Sequence, residues 1–356
     1  RLAGIQTFLE SAAWSVGGVL MLLLWFMAPL GAQLFNISVW PFILMGLGMP
    51  FYISRGVSRG LLQGQAKLED LAISYYLEMG SQWLLVLILV ALGGGVNGAI
   101  LGVALSFVLS WWGAWRAGNG NRRAGFLAWL EALRSGGNDR RVHTLPVEDQ
   151  KTVLRFALPL IGAGLGQILI NTTDIILVRY FFDASLAGQY TALTLLVRAI
   201  FFFAWLLSVM LLFQTSRGLK AGTISYHRLN FSLGLVALIS GAVLTLARFL
   251  PGTLVRGLLN SEYVALVPLL WPYAIAMTLY ALSSVLLSYG FAVGYQGSTL
   301  LSLAGGVAQV IALSLFHHSL TQVVRVQMFV MLGFFLILLI WIGGVKLMNT
   351  LRKPMT

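Results

Sequence analysis

Polar positions are sparse along this chain, and where they cluster they divide it into ten apolar runs. The runs are Ile5–Leu30, Trp40–Arg59, Leu71–Leu92, Gly95–Trp115, Leu154–Phe182, Gly188–Phe213, Phe231–Phe249, Leu266–Phe291, Thr299–Phe316 and Val323–Val345. A helix needs about 20 apolar residues to cross a ~30 Å hydrocarbon core, so each run predicts a membrane-spanning helix. The longest hydrophilic piece is Ala117–Gln150. Its ends are rich in Gly, Asn and Arg, while FLAWLEALR (Phe126–Arg134) carries an apolar face at helical spacing, the pattern of an interfacial amphipathic helix. The pattern predicts an all-α polytopic membrane protein. Residues 1–116 form a lobe with four spans, 117–152 a cytoplasmic linker, and 153–356 a lobe with six spans.

Composition agrees with a lipid solvent. Of the 356 residues 58% are hydrophobic and 10% charged, with mean hydropathy +0.87. A soluble domain of this length has too little interior to hide so much apolar surface. Cysteine is absent, which excludes disulfides and thiolate metal sites. His143, His227, His317 and His318 fall outside the runs or at their ends, and no HExxH, GxSxG, phosphate-loop or dinucleotide fingerprint occurs. The residues therefore imply no enzyme, cofactor or metal. A pI near 10.3 reads as topology and contact with anionic membrane lipids rather than nucleic acid. With the first run entering from the cytoplasm and sides alternating, all but five of the 23 cations fall inside; the exceptions are Arg179, Arg198, Arg248, Arg256 and Arg325. That bias follows the positive-inside rule and puts both ends of the chain in the cytoplasm.

GLLQGQ (Gly60–Gln65) and GFAVGYQ (Gly290–Gln296) form a partial internal repeat, each at the cytoplasmic end of an even-numbered run. Their small-xxx-small spacing suits close backbone packing in lipid. Aligning the halves on this repeat expects a six-plus-six architecture, with two helices before residue 1 of this numbering.

The stretch PFYISRGVSRGLLQGQAKLEDLAISYYLEMGSQW…GVNGA contains RGLLQG (Arg59–Gly64), a short polar link, and a helix leading to Gly95-Val-Asn-Gly98-Ala99. It resembles the fourth to sixth helices of bacterial oligosaccharide (Wzx-like) flippases of the multidrug/oligosaccharidyl-lipid/polysaccharide (MOP) exporter superfamily. FALPLIGAGLGQILINTTDIILVRYFFDASLAGQYTALTLLVRAI (Phe156–Ile200) is similar to that family's seventh and eighth helices, with Pro159, an intramembrane Asp174, AGQY (Ala187–Tyr190) and Arg198. The proline that often ends the family's eighth helix is missing from Leu212-Phe213-Gln214. The resemblance implies two lobes in a V around a cavity, alternating access, and a polyprenyl-pyrophosphate-linked glycan as cargo in the bacterial cytoplasmic membrane. It further implies protons or Na⁺ as coupling ion and a monomer.

Ionisable groups at membrane depth cost about 2.5–3.5 kcal/mol each on insertion scales, so they mark cavities or partners. Asp174 and Arg198 lie ~12 and ~15 Å inside the outer ends of consecutive helices. The two are expected to pair, with Arg198 exposed to the cleft. They are read either as a structural ion pair or as a cation for pyrophosphate held by its carboxylate. Arg179 is a further cavity candidate nearer the outer face. Arg55 and Arg59 stand where the second run ends, as topology determinants or as contacts for an arriving lipid pyrophosphate, with Gly64 permitting the chain reversal. Glu10 and Glu78, about two turns from the cytoplasmic side, join Asp174 as ion-coupling candidates. Carboxylates hydrogen-bonded to a neighbouring Ser, Tyr or Gln are the plainer reading of both glutamates. Tyr52, Tyr75, Tyr76, Tyr280 and Tyr295 are aromatic surfaces for sugars, or ordinary interfacial aromatics.

Three functions compete. A lipid-linked oligosaccharide flippase fits the arginines, whereas a multidrug or organic-cation antiporter of the same fold wants carboxylates to dominate its cavity. A membrane glycosyltransferase needs a large outer loop with acids, and the longest one here, Phe249–Val267, holds only Glu262.

Overall fold

The computed structural model describes residues 2–65, 67–118, 146–198, 202, 204, 226–258, 261–293 and 297–351, and their regular structure is helical throughout. The expected amphipathic helix at Phe126–Arg134 and the candidate Tyr295 lie outside the described residues. The chain divides into two compact units, Arg1–Thr152 and Val153–Thr356.

The first unit contains α1 (Leu2–Phe35), α2 (Trp40–Gly64), α3 (Leu68–Leu89) and α4 (Gly95–Gly118). α1 stops at Asn36, whose φ of 56° is the left-handed cap conformation that Asn tolerates; the next amide, of Ile37, donates to Ala32 O at 3.1 Å. Pro41 sits in the first turn of α2, where a missing N–H leaves no bond unmade. Between α3 and α4 the chain reverses through one π-turn, Val90–Gly94, and needs Gly93 (φ 88°) and Gly95 (φ 50°) to do so. Glycines then let backbones approach. A Cβ on Gly102 would lie 2.8 Å from Val86 N, and one on Gly17 would lie 2.5 Å from Pro50 Cα.

α2 departs from the sequence-based expectation. It continues past Arg59 to Gly64, so Arg55 lies nine residues, or ~14 Å, inside its end. Gly64 is not a required reversal point either, because the chain exits through Gln65 at φ −82°, ψ −3°. Nor does the paired Gly-xxx-Gly spacing act alike in both places. Cβ atoms on Gly60 and Gly64 would meet nothing within 4 Å, whereas one on Gly290 would collide with the Ser298 hydroxyl.

The second unit holds α5 (Val147–Phe181, which spans the unit boundary), α6 (184–198), α7 (Tyr226–Phe249), the short α8 (Pro251–Leu258), a 3₁₀ turn (Ser261–Leu266), α9 (Val267–Val293), α10 (Gly297–Leu315) and α11 (Leu320–Leu351). α9 is the core helix: Tyr273, Tyr280, Leu286, Leu287 and Tyr289 are almost wholly buried, and α7, α10 and α11 pack on it. α5 and α10 run parallel. Ser302 Oγ donates to Ala163 O at 2.9 Å, and Gln309 Nε2 to Ile170 O at 2.9 Å, seven residues further on in both helices. The backbones touch at Gly166 and Gly306, where a Cβ on Gly306 would lie 2.7 Å from Gly166 O.

Among the described residues, seven segments are long and apolar enough to cross a membrane. One of them, Glu69–Arg116, contains both α3 and α4. α2 is not among the seven, because its arginines, serines and glycines dilute its hydropathy. The chain is a multi-pass membrane protein.

The hairpin contact makes a direct prediction. Gly102→Val should destabilise the protein in detergent by ~1–3 kcal/mol, because the new side chain meets α3 backbone that cannot move aside. Gly60→Ala, facing open space, should leave the thermal midpoint unchanged. Equal midpoints for both variants would mean that α3 and α4 do not approach as described.

Candidate functional site

Two buried charge clusters stand out, one in each unit. In the second unit Asp174 is fully buried and Arg198 is 7% exposed. Arg198 Nη2 donates to Asp174 Oδ1 at 2.8 Å, the pairing that their equal depths predict. The other carboxylate oxygen accepts from two phenols, Tyr190 OH at 3.1 Å and Tyr273 OH at 3.0 Å. Arg198 Nε in turn donates to Tyr273 OH at 3.2 Å. α5, α6 and α9 each contribute, so the cluster ties three helices together. One cation meets one anion, and both carboxylate oxygens are bonded. The expected exposure of Arg198 is not found: it is buried within its own unit, since Asp174 and Tyr273 draw its guanidinium inward. Neither tyrosine was a sequence candidate; Tyr190 lies in the AGQY motif, and Tyr273 is one of several hydroxyl residues in its apolar run. Arg179 occupies the last turn of α5, where a cation complements the helix dipole.

The first unit's cluster is built differently. Arg55, Arg59 and Glu78 are all below 8% exposed, and α2 and α3 bring them together. Glu78 Oε1 contacts Arg55 Nη1, and Glu78 Oε2 lies 2.7 Å from Arg59 Nη2. Arg59 is otherwise committed. Its Nε donates to Ser74 Oγ at 2.9 Å, and its Nη2 to Ser74 O at 2.9 Å and Ser110 Oγ at 2.8 Å, which braces α2 against α3 and α4. Its guanidinium lies 3.9 Å from the Tyr75 ring centroid. Arg55 is held by faces instead of hydrogen-bond acceptors: its guanidinium carbon lies 4.4 Å from the Tyr52 ring centroid and 4.8 Å from that of Phe107. Two guanidiniums thus share one carboxylate, leaving the cluster with one positive charge in excess.

The remaining candidates fall into place around these clusters. Glu10 is 4% exposed and accepts a 2.9 Å hydrogen bond from Gln6 Nε2; among the described residues no cation pairs with it. One turn on, Trp14 packs edge-on against Phe51 and Trp111, with centroids 5.3 and 5.6 Å away. Of the tyrosines considered for sugar contact, Tyr280 is buried and donates to Gln167 O at 3.1 Å, Tyr52 and Tyr75 cover arginines, and Tyr76 is exposed. Among the described residues no group of three or more His, Asp and Glu side chains is positioned to hold a metal ion.

The described residues thus present a polytopic helical membrane protein with charges paired inside each helical unit. Comparison with families and solved structures makes the class specific. Residues 10–210 match the family described as polysaccharide biosynthesis protein, which is more than half of the chain, and the chain belongs to that family. Among solved structures, the chain is similar to an inward-facing multidrug resistance MATE family transporter of the MOP superfamily (17% identity, TM-score 0.66, covering 97% of this chain and 82% of that one). It is also similar to the lipid II flippase MurJ in an inward closed conformation (14% identity, TM-score 0.69, 95% and 72% covered). At these identities the likeness establishes a shared MATE/MOP-like fold. Comparison with curated proteins gave no match.

The second unit's cluster predicts an order of stability losses. Asp174→Asn should cost the most, ~3–5 kcal/mol, because it strands a buried guanidinium. Tyr273→Phe, which removes a bond to each partner, should cost ~1–3 kcal/mol, and Tyr190→Phe less. Thermal melts of the three variants in one detergent test that order; a Tyr190→Phe loss equal to that of Asp174→Asn contradicts it.

Proposed function

We propose that the protein flips a polyprenyl-pyrophosphate-linked oligosaccharide from the cytoplasmic to the outer leaflet of a bacterial cytoplasmic membrane, for cell-surface polysaccharide synthesis. On this reading ten helices span the bilayer with both ends of the chain cytoplasmic. Transport proceeds by alternating access, and the transporter works as a monomer coupled to protons or Na⁺. Family membership supports the pathway, and the parallel run of α5 and α10 supports alternating spans, since both are odd-numbered runs in the sequence.

The observation that carries the cargo assignment is the excess guanidinium beside Glu78. A lipid pyrophosphate crossing a low-dielectric interior needs a cation that is not already committed. Arg198 is matched one-to-one by Asp174 and serves to hold its unit together. Arg59 spends its donors on Ser74 and Ser110. Arg55, held by aromatic faces and half a carboxylate, is the cation that contacts cargo. Glu10, a buried carboxylate with a neutral partner, is the group suited to carry the coupling proton; it is also the feature that an organic-cation antiporter would use.

Flipping of a fluorescent lipid-linked oligosaccharide in reconstituted vesicles tests the assignment. Arg55→Gln should lower the rate at least about tenfold, the effect of losing ~1.4 kcal/mol of transition-state stabilisation. The double variant Arg198→Ala/Asp174→Asn, which removes both charges together, should fold and flip near the wild-type rate. A well-folded double variant that cannot flip would return the cargo role to Arg198. Transport of an organic cation, with no flipping by the wild type, would favour the antiporter.

A further inference from the structure

The two clusters differ in how their carboxylates are satisfied, and that difference points to a role for Glu78. In the second unit every oxygen of Asp174 is an aligned hydrogen-bond acceptor. In the first unit the carboxylate touches two guanidiniums, yet neither Glu78 Oε2 nor Arg55 Nη1 makes a hydrogen bond, although both atoms are buried. Charge contact without alignment leaves donor and acceptor capacity unused at a depth where water does not supply it. A buried pair of this kind is the readiest to exchange partners, because the arrangement it gives up is incomplete.

The surroundings direct the exchange to Arg55. Arg59 cannot leave without breaking its bonds to Ser74 and Ser110. Arg55 has no such brace. Tyr52, one of the two rings that cover its guanidinium, is 43% exposed, so that side of the cover is reached from outside. A phosphate-type anion brings more acceptor oxygens than one carboxylate and fits the guanidinium's fork of donors.

We infer that Glu78 is an internal stand-in for the cargo's anionic group: it occupies Arg55 when no cargo is present, yields it to the arriving diphosphate, and by returning drives the diphosphate off. This rests on the reading of Arg55 as the cargo cation. Glu78 is then a positioning and release residue that never touches the glycan. Its carboxylate lowers apparent affinity by the fraction of time it holds Arg55. A Glu78 that occupies Arg55 nine-tenths of the time weakens binding about tenfold.

The test measures binding of a short-chain polyprenyl diphosphate, and of the matching polyprenyl alcohol, to the full-length protein in phosphatidylcholine nanodiscs. Glu78→Gln should bind the diphosphate about tenfold more tightly than wild type, bind the alcohol equally, and flip more slowly because release is hindered. Glu78→Asp, which keeps the charge but draws it back by one methylene, should fall between the two and serves as the readout if Glu78→Gln does not fold. A diphosphate affinity equal to or weaker than wild type in the folded variant overturns the stand-in role, while leaving Arg55 as cargo contact if wild type still prefers the diphosphate. Wild type binding diphosphate and alcohol alike removes the Arg55 reading itself, and the inference with it. Nanodiscs containing phosphatidylglycerol separate the cargo from bulk lipid as the source of phosphate. Loss of the tightened binding there would mean that Arg55 answers to ordinary headgroups, which also overturns the proposal.

Discussion

An ionised side chain buried among apolar helices has to be met by partners inside the protein, and the two charge clusters of the described interior follow that requirement. Desolvating a charge costs several kcal/mol unless partners replace water. The arginines and acids therefore fix which helices meet. Asp174 and Arg198 draw α5, α6 and α9 together through two phenols. Arg59 does the same for α2, α3 and α4 through Ser74 and Ser110. Apolar packing fills the space around these ties, and glycines set how close the backbones come.

The two ties are unequal, and their inequality is informative. The second unit's cluster is closed: equal charges, aligned bonds and almost no exposure. Closed networks specify structure and resist change. The first unit's cluster is open-handed, with one guanidinium more than its carboxylate can neutralise and two buried atoms left without hydrogen bonds. Stability alone would favour replacing such a trio with apolar residues. Its presence is understandable if, as proposed above, the surplus charge serves a cargo.

Hydropathy made most helices legible because lipid imposes length and apolarity on any span. Depth counting along consecutive helices also brought Asp174 and Arg198 together, since antiparallel neighbours place equal depths side by side. α2 was legible only in part. The polar run from Arg55 onward reads as an exit from the bilayer, yet its polarity is consumed internally by Ser74, Glu78 and Ser110, contributed by helices whose facing side chains no one-dimensional pattern reveals. The phenols of Tyr190 and Tyr273 were invisible for the same reason. A tyrosine in an apolar run looks alike whether it faces lipid, a sugar or a buried carboxylate. Gly93 and Gly95 illustrate a third case: the run boundary was visible, but which glycines carry positive φ is decided by the turn itself.

α2 also bears on how the chain enters the membrane. It is too polar to be among the segments that qualify as spans by composition, and the acceptors that bond Arg59 arrive as late as Ser110, 51 residues further along. At about 5–20 residues per second of synthesis, the ribosome needs roughly 3–10 s to deliver them. During that interval α2 lacks the bonds that its arginine makes in the folded unit. Insertion of this half is thereby expected to be cooperative: the helix that bears the surplus charge gains its full set of partners only once the hairpin that follows it has been made.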